Sequence, residues 1–188
     1  MVGVAGPAGG GKSTLVNALA AAMPDAAVIH IDSYQKITEQ PIGEIVRWAE
    51  RGADFDELEI PQLADDLARL KQGPAKVVLF ETHFGRAHRD SGRFIDLLVW
   101  LDTPLDVALA RNVMDQVAPL LQVREAAPLR ERLGSVQRSL ASYLQDVRRL
   151  RLLQRERVAA DADLVIDGAG QLDAMVERAR LEILRRLP

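Results

Sequence analysis

The sequence predicts an α/β fold with a parallel sheet, because two patterns alternate along the chain. Five short runs rich in Val, Ile and Leu are predicted to be buried strands, at residues 1–5, 26–31, 77–80, 95–101 and 163–166. Six stretches show helical spacing of apolar residues, at about 12–23, 41–51, 61–72, 104–118, 135–158 and 171–186. A parallel connection must cross over the sheet, and a helix usually makes that crossing. Alternation therefore favours a parallel sheet covered on both faces.

Composition sets limits on the class of protein. The chain has 188 residues, 48% of them hydrophobic, which suits one domain with a sizeable core. A formal net charge of −3 gives no basic field that would make nucleic acid the expected partner. The absence of cysteine excludes disulfides, thiolate metal sites and a cysteine nucleophile. No apolar run suggests a membrane span or signal peptide, so we expect a cytoplasmic protein with no membrane partner.

The first predicted strand leads into the segment GPAGGGKST at 6–14, which matches the phosphate-binding loop G-x-x-x-x-G-K-[ST]. Glycines let the backbone N–H groups point at an anion, and the following helix adds the positive end of its dipole. Lys12 would place a charge on the terminal phosphates, and the Ser13 hydroxyl would coordinate Mg²⁺. We therefore predict that ATP and Mg²⁺ bind at a loop formed by Gly6, Ala8, Gly9, Gly10, Gly11, Lys12, Ser13 and Thr14.

Two carboxylates follow the second and third predicted strands, at the sheet edge where open α/β folds bind ligands. Asp32, in HIDSYQ, is predicted to orient an acceptor hydroxyl and take its proton, with capping of a turn as the alternative. Glu81 ends VVLFE and is predicted to hold the magnesium ion or one of its waters. For Tyr34 the sequence leaves a substrate contact and simple packing equally open.

The loop after Glu81, THFGRAHRDSGRF, carries histidines and arginines on the expected ligand side. Arginines there suit an anionic or polar acceptor, or the transferred phosphoryl group, although a solvated basic loop is the alternative for each one. We predict that His83, Arg86 and Arg89 contact the acceptor and that His88 does not.

Five segments together resemble the uridine kinase and phosphoribulokinase group of phosphate-loop kinases, in particular its bacterial nucleoside-kinase-like members. They are GVAGPAGGGKSTL, VIHIDSYQ, VVLFETHFGR, IDLLVWLDTPLDVALAR and ADLVIDG. The resemblance implies a three-layer α/β/α sandwich with strand order 2-3-1-4-5, an Asp32 that activates the acceptor hydroxyl, and a lid after the helix that follows strand four. It also places Arg111 at the end of that helix, where we expect it to steady developing charge.

The predicted organisation is one domain over 1–188, with a core of about 1–111 and 159–188 and a helical lid with a long helix at about 112–158. The segment from 124 to 157 is basic and is a source of lid arginines. Those before the long helix are the best candidates, namely Arg124, Arg130 and Arg132. From Arg148 onward we expect solvated arginines on an amphipathic helix. A homodimer is compatible with the sequence.

Departures from the group's pattern bear on the acceptor. Only the residues PAK separate LADDLARLKQG from the third strand, whereas the group has a longer segment there that helps to hold a nucleobase. In addition, RNVMDQ lacks the arginine that usually follows Arg111. The set of motifs favours a nucleoside acceptor, whereas the short segment favours a sugar, sugar phosphate or cofactor precursor. A non-catalytic ATP-binding switch is a further alternative. The GTPase motif N-K-x-D and the transporter signature L-S-G-G-Q are absent.

Overall fold

A parallel sheet of five strands carries the fold in the computed structural model of the chain, which describes residues 1–34, 44, 47–48 and 50–187. The strands are β1 (Val2–Ala5), β2 (Ala26–His30), β3 (Val77–Glu81), β4 (Leu97–Asp102) and β5 (Leu164–Asp167). Their order is β2-β3-β1-β4-β5, and every neighbouring pair is parallel. The predicted α/β class, strand order and strand positions are therefore confirmed, with small shifts at the strand ends.

The helices connect and cover these strands. They are α1 (Lys12–Ala22), α2 (Pro61–Gln72), α3 (Arg89–Gly92), α4 (Leu105–Val117), α5 (Ala126–Ser142), α6 (Arg148–Gln154) and α7 (Leu172–Arg186). The short helix α3 was not predicted, and most of the predicted helix at 41–51 lies outside the described residues. Within the described part of the chain, no helix is both long and apolar enough to cross a membrane.

The long helix begins earlier than predicted. Residues from Ala126 onward are already helical, because Pro128 falls in the first turn of α5, where a missing N–H costs no helical hydrogen bond. π-Helical turns at Tyr143–Val147 and Arg155–Ala159 follow α5 and α6. Each π turn widens the helix locally, so the side chains that follow it are rotated relative to a regular α-helix.

Apolar side chains form a core on each face of the sheet. On one face Leu15 and Leu19 of α1 and Ile183 of α7 pack against Val4 of β1. On the other face a second cluster contains Ala5, the next residue of β1. It also contains two leucines of α2 and three aromatic residues, namely Leu63, Leu67, Phe55, Phe84 and Trp100. The alternation of Val4 and Ala5 is the period-two pattern of a strand buried on both sides. The result is the three-layer arrangement.

Arg86 joins elements at the amino-terminal edge of the sheet. Its guanidinium donates to the carbonyl oxygens of Ile95 (3.2 Å) and Asp161 (2.9 Å) and to Asp163 Oδ2 (2.5 Å). The carboxylate of Asp163 also accepts from the backbone N–H of Leu98 at 2.7 Å. These partners precede or begin β4 and β5, whereas ligands of open α/β folds bind at the opposite edge. The placement of Arg86 therefore contradicts its predicted contact with the acceptor and gives it a structural role.

This network generates a prediction for Asp163. Burial of the carboxyl raises the pKa, but hydrogen bonds from Leu98 and Arg86 lower it more, so the pKa of Asp163 lies below its ordinary value. The stabilisation is therefore present above the unfolded-state pKa of about 3.9 and is lost as the pH falls through the lower folded-state value. Asp163→Asn should lower the free energy of unfolding by about 1–3 kcal/mol at pH 7 and flatten the acid limb of its pH dependence.

Urea unfolding at several pH values measures both effects. The matched control is Asp115→Asn, at an exposed position on α4. Equal stability of the two variants at pH 7 would show that the network contributes nothing.

Candidate active site

The phosphate loop has the backbone conformation that its glycines permit. Gly9 and Gly11 have φ angles of 78° and 95°, in the left-handed region that favours glycine. The N–H of Gly10 donates to the carbonyl oxygen of Pro7 at 2.9 Å, which closes a turn immediately before α1. No side chain of the described residues caps the start of α1. The N–H groups of its first turn can therefore bind an anion at the loop.

Lys12 is a buried cation at the start of α1. Its side chain is only 4% exposed, and Nζ donates to the carbonyl oxygen of Pro7 at 3.2 Å. Burial lowers the pKa of Lys12 below its ordinary value, the carboxylates of Glu81 and Asp32 oppose that shift, and the charge of Arg151 adds to it. The loop residue predicted to bind phosphate thus lies within the electrostatic influence of both predicted acids.

Ser13 and Glu81 meet at the carboxyl edge of the sheet. The Ser13 hydroxyl donates to Glu81 Oε1 at 2.8 Å, and the carboxylate of Glu81 is nearly inaccessible, at 3% exposure. Its other oxygen, Oε2, contacts Nδ1 of His30. His30 and Glu81 are register partners on β2 and β3, so the sheet itself aligns the imidazole with the carboxylate. His30 was not among the predicted site residues, although a polar residue at the end of the strand beside that of Glu81 is a signal that the sequence contains.

Asp32 and His83 form a carboxylate–imidazole pair. Asp32 lies in a single 3₁₀ turn, Ile31–Ser33, directly after β2. Its Oδ1 atom is 2.8 Å from Nε2 of His83, and its side chain is 61% exposed. His83 therefore fixes the position of a carboxylate that is largely exposed to solvent, as a group that takes a proton from an acceptor must be.

Tyr34 is tied to α2 through its hydroxyl, which donates to Asp66 Oδ2 at 2.7 Å. Asp66 in turn pairs with Arg69 at 2.8 Å. Burial and the hydrogen bond to Asp66 raise the pKa of Tyr34 above its ordinary value. These contacts give the phenol a packing role, and nothing in them points the hydroxyl at Asp32.

Arg111 lies on the far side of the phosphate loop from Asp32. Its Nη1 atom donates to the carbonyl oxygens of Gly168 at 2.9 Å and Gly10 at 3.4 Å. Gly168 follows β5, and Asp32 follows β2, at the opposite end of the strand order. Arg111 therefore ties the loop to the turn after β5 and does not reach toward the side of the site that carries Asp32.

The remaining predicted contacts from the loop after β3 do not converge on Asp32. Arg89 is 87% exposed and pairs with Asp56 at 3.3 Å. His88 is buried, as a structural residue would be, and bonds to Ser91 Oγ at 2.8 Å. Of the three loop residues predicted to contact the acceptor, the structure places His83 beside Asp32 and Arg86 and Arg89 elsewhere.

The helical segment before β5 contributes two residues to the site. Nε2 of Gln154 donates to the carbonyl oxygens of His83 at 2.6 Å and Gly6 at 3.3 Å, so α6 is fixed across the phosphate loop. Arg151, on the same helix, is half-buried near Lys12, which contradicts the expected solvation of the arginines in this stretch. A π-helical turn precedes α6 and changes the rotation of the side chains that follow it relative to a regular α-helix. Arg124, Arg130 and Arg132 are exposed.

Comparison with solved structures identifies the fold. A gluconokinase from Sinorhizobium meliloti 1021 is 20% identical, with 99% of this chain and 92% of the other covered and a TM-score of 0.53. A shikimate kinase from Bacteroides thetaiotaomicron is 22% identical, with 98% and 97% covered and a TM-score of 0.51. A sugar kinase from Janibacter sp. HTCC2649 is 18% identical, with 97% and 92% covered and a TM-score of 0.51. No protein-family model matches the sequence, and no curated protein matches it. The structural likenesses show that the chain shares the α/β fold of these solved structures.

The tight packing of the phosphate loop predicts the effect of a single methyl group. A Cβ on Gly9 would lie 2.3 Å from the carbonyl oxygen of Ala108, and the φ of Gly9 is already unfavourable for other residues. Gly9→Ala should therefore lower the free energy of unfolding by on the order of 2–4 kcal/mol. Gly134→Ala is the matched control in the middle of α5, where the nearest neighbour is the flexible Arg138 guanidinium at 3.3 Å.

Urea denaturation of the two variants checks this prediction. The control should be unchanged or stabilised by up to about 1 kcal/mol, because alanine is the better helix former. A Gly9→Ala protein as stable as the wild type would mean that the loop does not pack against α4 as described.

Proposed function

We propose that the protein is an ATP- and Mg²⁺-dependent kinase that transfers the γ-phosphoryl group to a hydroxyl of a small molecule. One observation carries the proposal. The buried Lys12 ammonium lies under the electrostatic influence of two carboxylates with different surroundings, Glu81 bonded to Ser13 and Asp32 bonded to His83. The first pair suits a metal-bound phosphate, and the second suits a hydroxyl that must lose a proton.

The residues beside the loop suit a magnesium ion. A hydroxyl and a buried carboxylate, those of Ser13 and Glu81, are the hard oxygen ligands that Mg²⁺ prefers. Within the described part of the chain, no group of three or more His, Cys, Asp or Glu side chains could hold a metal. That pattern fits Mg²⁺, which usually takes one or two protein ligands and completes its shell with water and phosphate oxygens. When bound, the ion would neutralise charge on the triphosphate.

Different side chains have different roles in the proposed phosphoryl transfer. Lys12 and the loop N–H groups hold the phosphates, and His83 fixes the position of the Asp32 carboxylate. Asp32 orients the acceptor hydroxyl and takes its proton as the oxygen–phosphorus bond forms. The bond between the γ-phosphorus and the β–γ bridging oxygen breaks, and ADP leaves. Arg111, expected from the sequence to steady developing charge, is assigned here to the donor side, where it holds the loop against the turn after β5.

For the acceptor, we favour a hydroxylated metabolite that is not a nucleoside. The connection between α2, which ends at Gln72, and β3, which begins at Val77, is too short for a hairpin that would hold a nucleobase. The similar solved structures named as gluconokinase and shikimate kinase point in the same direction. A nucleoside acceptor, favoured by the sequence motifs, is the alternative. We also propose the predicted division into a core and a helical lid at about 112–158, with lid closure excluding water from the site.

A screen for acceptor-dependent ADP release tests this function. The purified protein is given MgATP with sugars, sugar acids, hydroxylated carboxylic acids, sugar phosphates, vitamin precursors and nucleosides in turn. The proposal predicts that at least one compound raises ADP formation far above the rate without acceptor and that the compound is not a nucleoside. ATP hydrolysis that none of them stimulates would instead favour an ATP-binding switch.

Asp32→Asn separates proton removal from nucleotide binding. The amide keeps the size of the side chain but cannot accept a proton, so kcat should fall by roughly 10²–10⁴-fold. The Kd for MgATP, measured by titration calorimetry, should stay within about twofold of the wild-type value. Asp65→Asn, at an exposed position of α2, is the matched control. Weaker MgATP binding with unchanged kcat would contradict the assignment of Asp32 as the base.

A further inference from the structure

One face of α6 covers the phosphate loop. Gln154 and Arg151 are three residues apart, so they project from the same side of the helix. Gln154 fixes that side over the site through its hydrogen bonds to the carbonyl oxygens of Gly6, at the start of the loop, and His83, beside Asp32. Arg151 is therefore carried on a helix anchored between the loop and the side of the site that holds Asp32.

The guanidinium of Arg151 packs against an aromatic ring, and no carboxylate among the described residues forms an ion pair with it. Its carbon Cζ lies 5.2 Å from the centroid of the Tyr143 ring, which packs against it. Its Nη1 atom is buried and has no hydrogen-bond partner among the described residues. Burial lowers the pKa of Arg151, with Tyr143 opposing the shift, yet a guanidinium does not lose its proton in proteins. A buried donor on a permanent cation is costly unless an anion meets it.

A second cation lies at the same loop. Lys12 donates to the carbonyl oxygen of Pro7, and the helix that carries Arg151 is anchored through Gln154 to that of Gly6. The charge of Arg151 also disfavours the protonated ammonium of Lys12. Two like charges at one site are stabilised by an anion bound between them. Arg111 contributes to the other flank of the loop, through Gly10 and Gly168, and does not supply this contact.

We propose that Arg151 is a phosphate-binding residue that, together with Lys12, holds the terminal phosphoryl group of the bound triphosphate. The inference rests on the proposed function, because it takes the loop to be the binding site for the nucleotide. The terminal group is the one assigned because α6 is anchored to His83 and thus covers the side of the loop that faces the acceptor base. The planar guanidinium offers paired N–H donors that suit phosphate oxygens.

Titration calorimetry with a non-hydrolysable ATP analogue and with ADP, each with Mg²⁺, tests the assignment. Arg151→Met keeps the length of the side chain and removes the charge. It should weaken binding of the analogue by about tenfold or more, with the Kd for ADP within about twofold of the wild-type value. Arg151→Lys should recover part of the loss, and it also serves as the test if Arg151→Met does not fold. Arg149→Met, at an exposed position of the same helix, should bind both nucleotides like the wild type.

The remaining outcomes distinguish failure of the Arg151 assignment from failure of the proposed kinase function. Equal affinity of Arg151→Met and wild type for the analogue overturns the inference and leaves the function intact, as expected if Arg151 instead binds an anionic group of the acceptor. An equal loss of analogue and ADP binding also overturns it, because the contact would not be with the terminal group. A wild-type protein that binds neither nucleotide overturns the proposed function itself.

Discussion

The site depends on a positive charge that the fold keeps away from water. Lys12 is buried at the start of α1 with one backbone carbonyl within hydrogen-bonding distance, and two carboxylates and a second cation act on it. Such a group is costly to bury, and an anionic ligand relieves that cost. The glycine backbone of the loop, the Ser13–Glu81 hydrogen bond and the anchoring of α6 by Gln154 lie around this ammonium, at the position where the proposed phosphate group would bind.

The two edges of the sheet perform different tasks. At the carboxyl edge, the hydrogen bonds of the predicted site residues run between side chains, as in Ser13–Glu81 and His83–Asp32. At the amino edge, Arg86 and Asp163 bind mainly backbone atoms at the start of β4 and β5. The two arginines differ in their hydrogen bonds. All three guanidinium nitrogens of Arg86 donate to acceptors, whereas Nη1 of Arg151 is buried and has no partner among the described residues. That contrast separates a residue that holds the fold together from one that awaits a ligand.

The sequence predicted the features that depend on local pattern and missed those that depend on long-range geometry. Strand positions and the phosphate loop follow from apolar periodicity and a contiguous motif, and the strand order followed from the family resemblance. The contact of His30 with Glu81 depends on the register of β2 and β3. The half-buried position of Arg151 lies on a helix that is tied by Gln154 to distant carbonyl oxygens, and apolar periodicity does not indicate such contacts. Arg86 was expected at the ligand edge because it follows β3 in the chain, but the intervening loop returns to the opposite edge before β4 begins.

The most direct test is the affinity for MgATP of a Lys12→Met variant, measured by titration calorimetry alongside thermal unfolding. Methionine preserves the aliphatic stem while removing the buried charge. A phosphate site built around that charge predicts at least a roughly tenfold weaker Kd with a Tm equal to or above that of the wild type, since a cation that is costly to bury has been removed. Unchanged affinity for MgATP would contradict the account, because the charge on which the site depends would then have no part in binding phosphate.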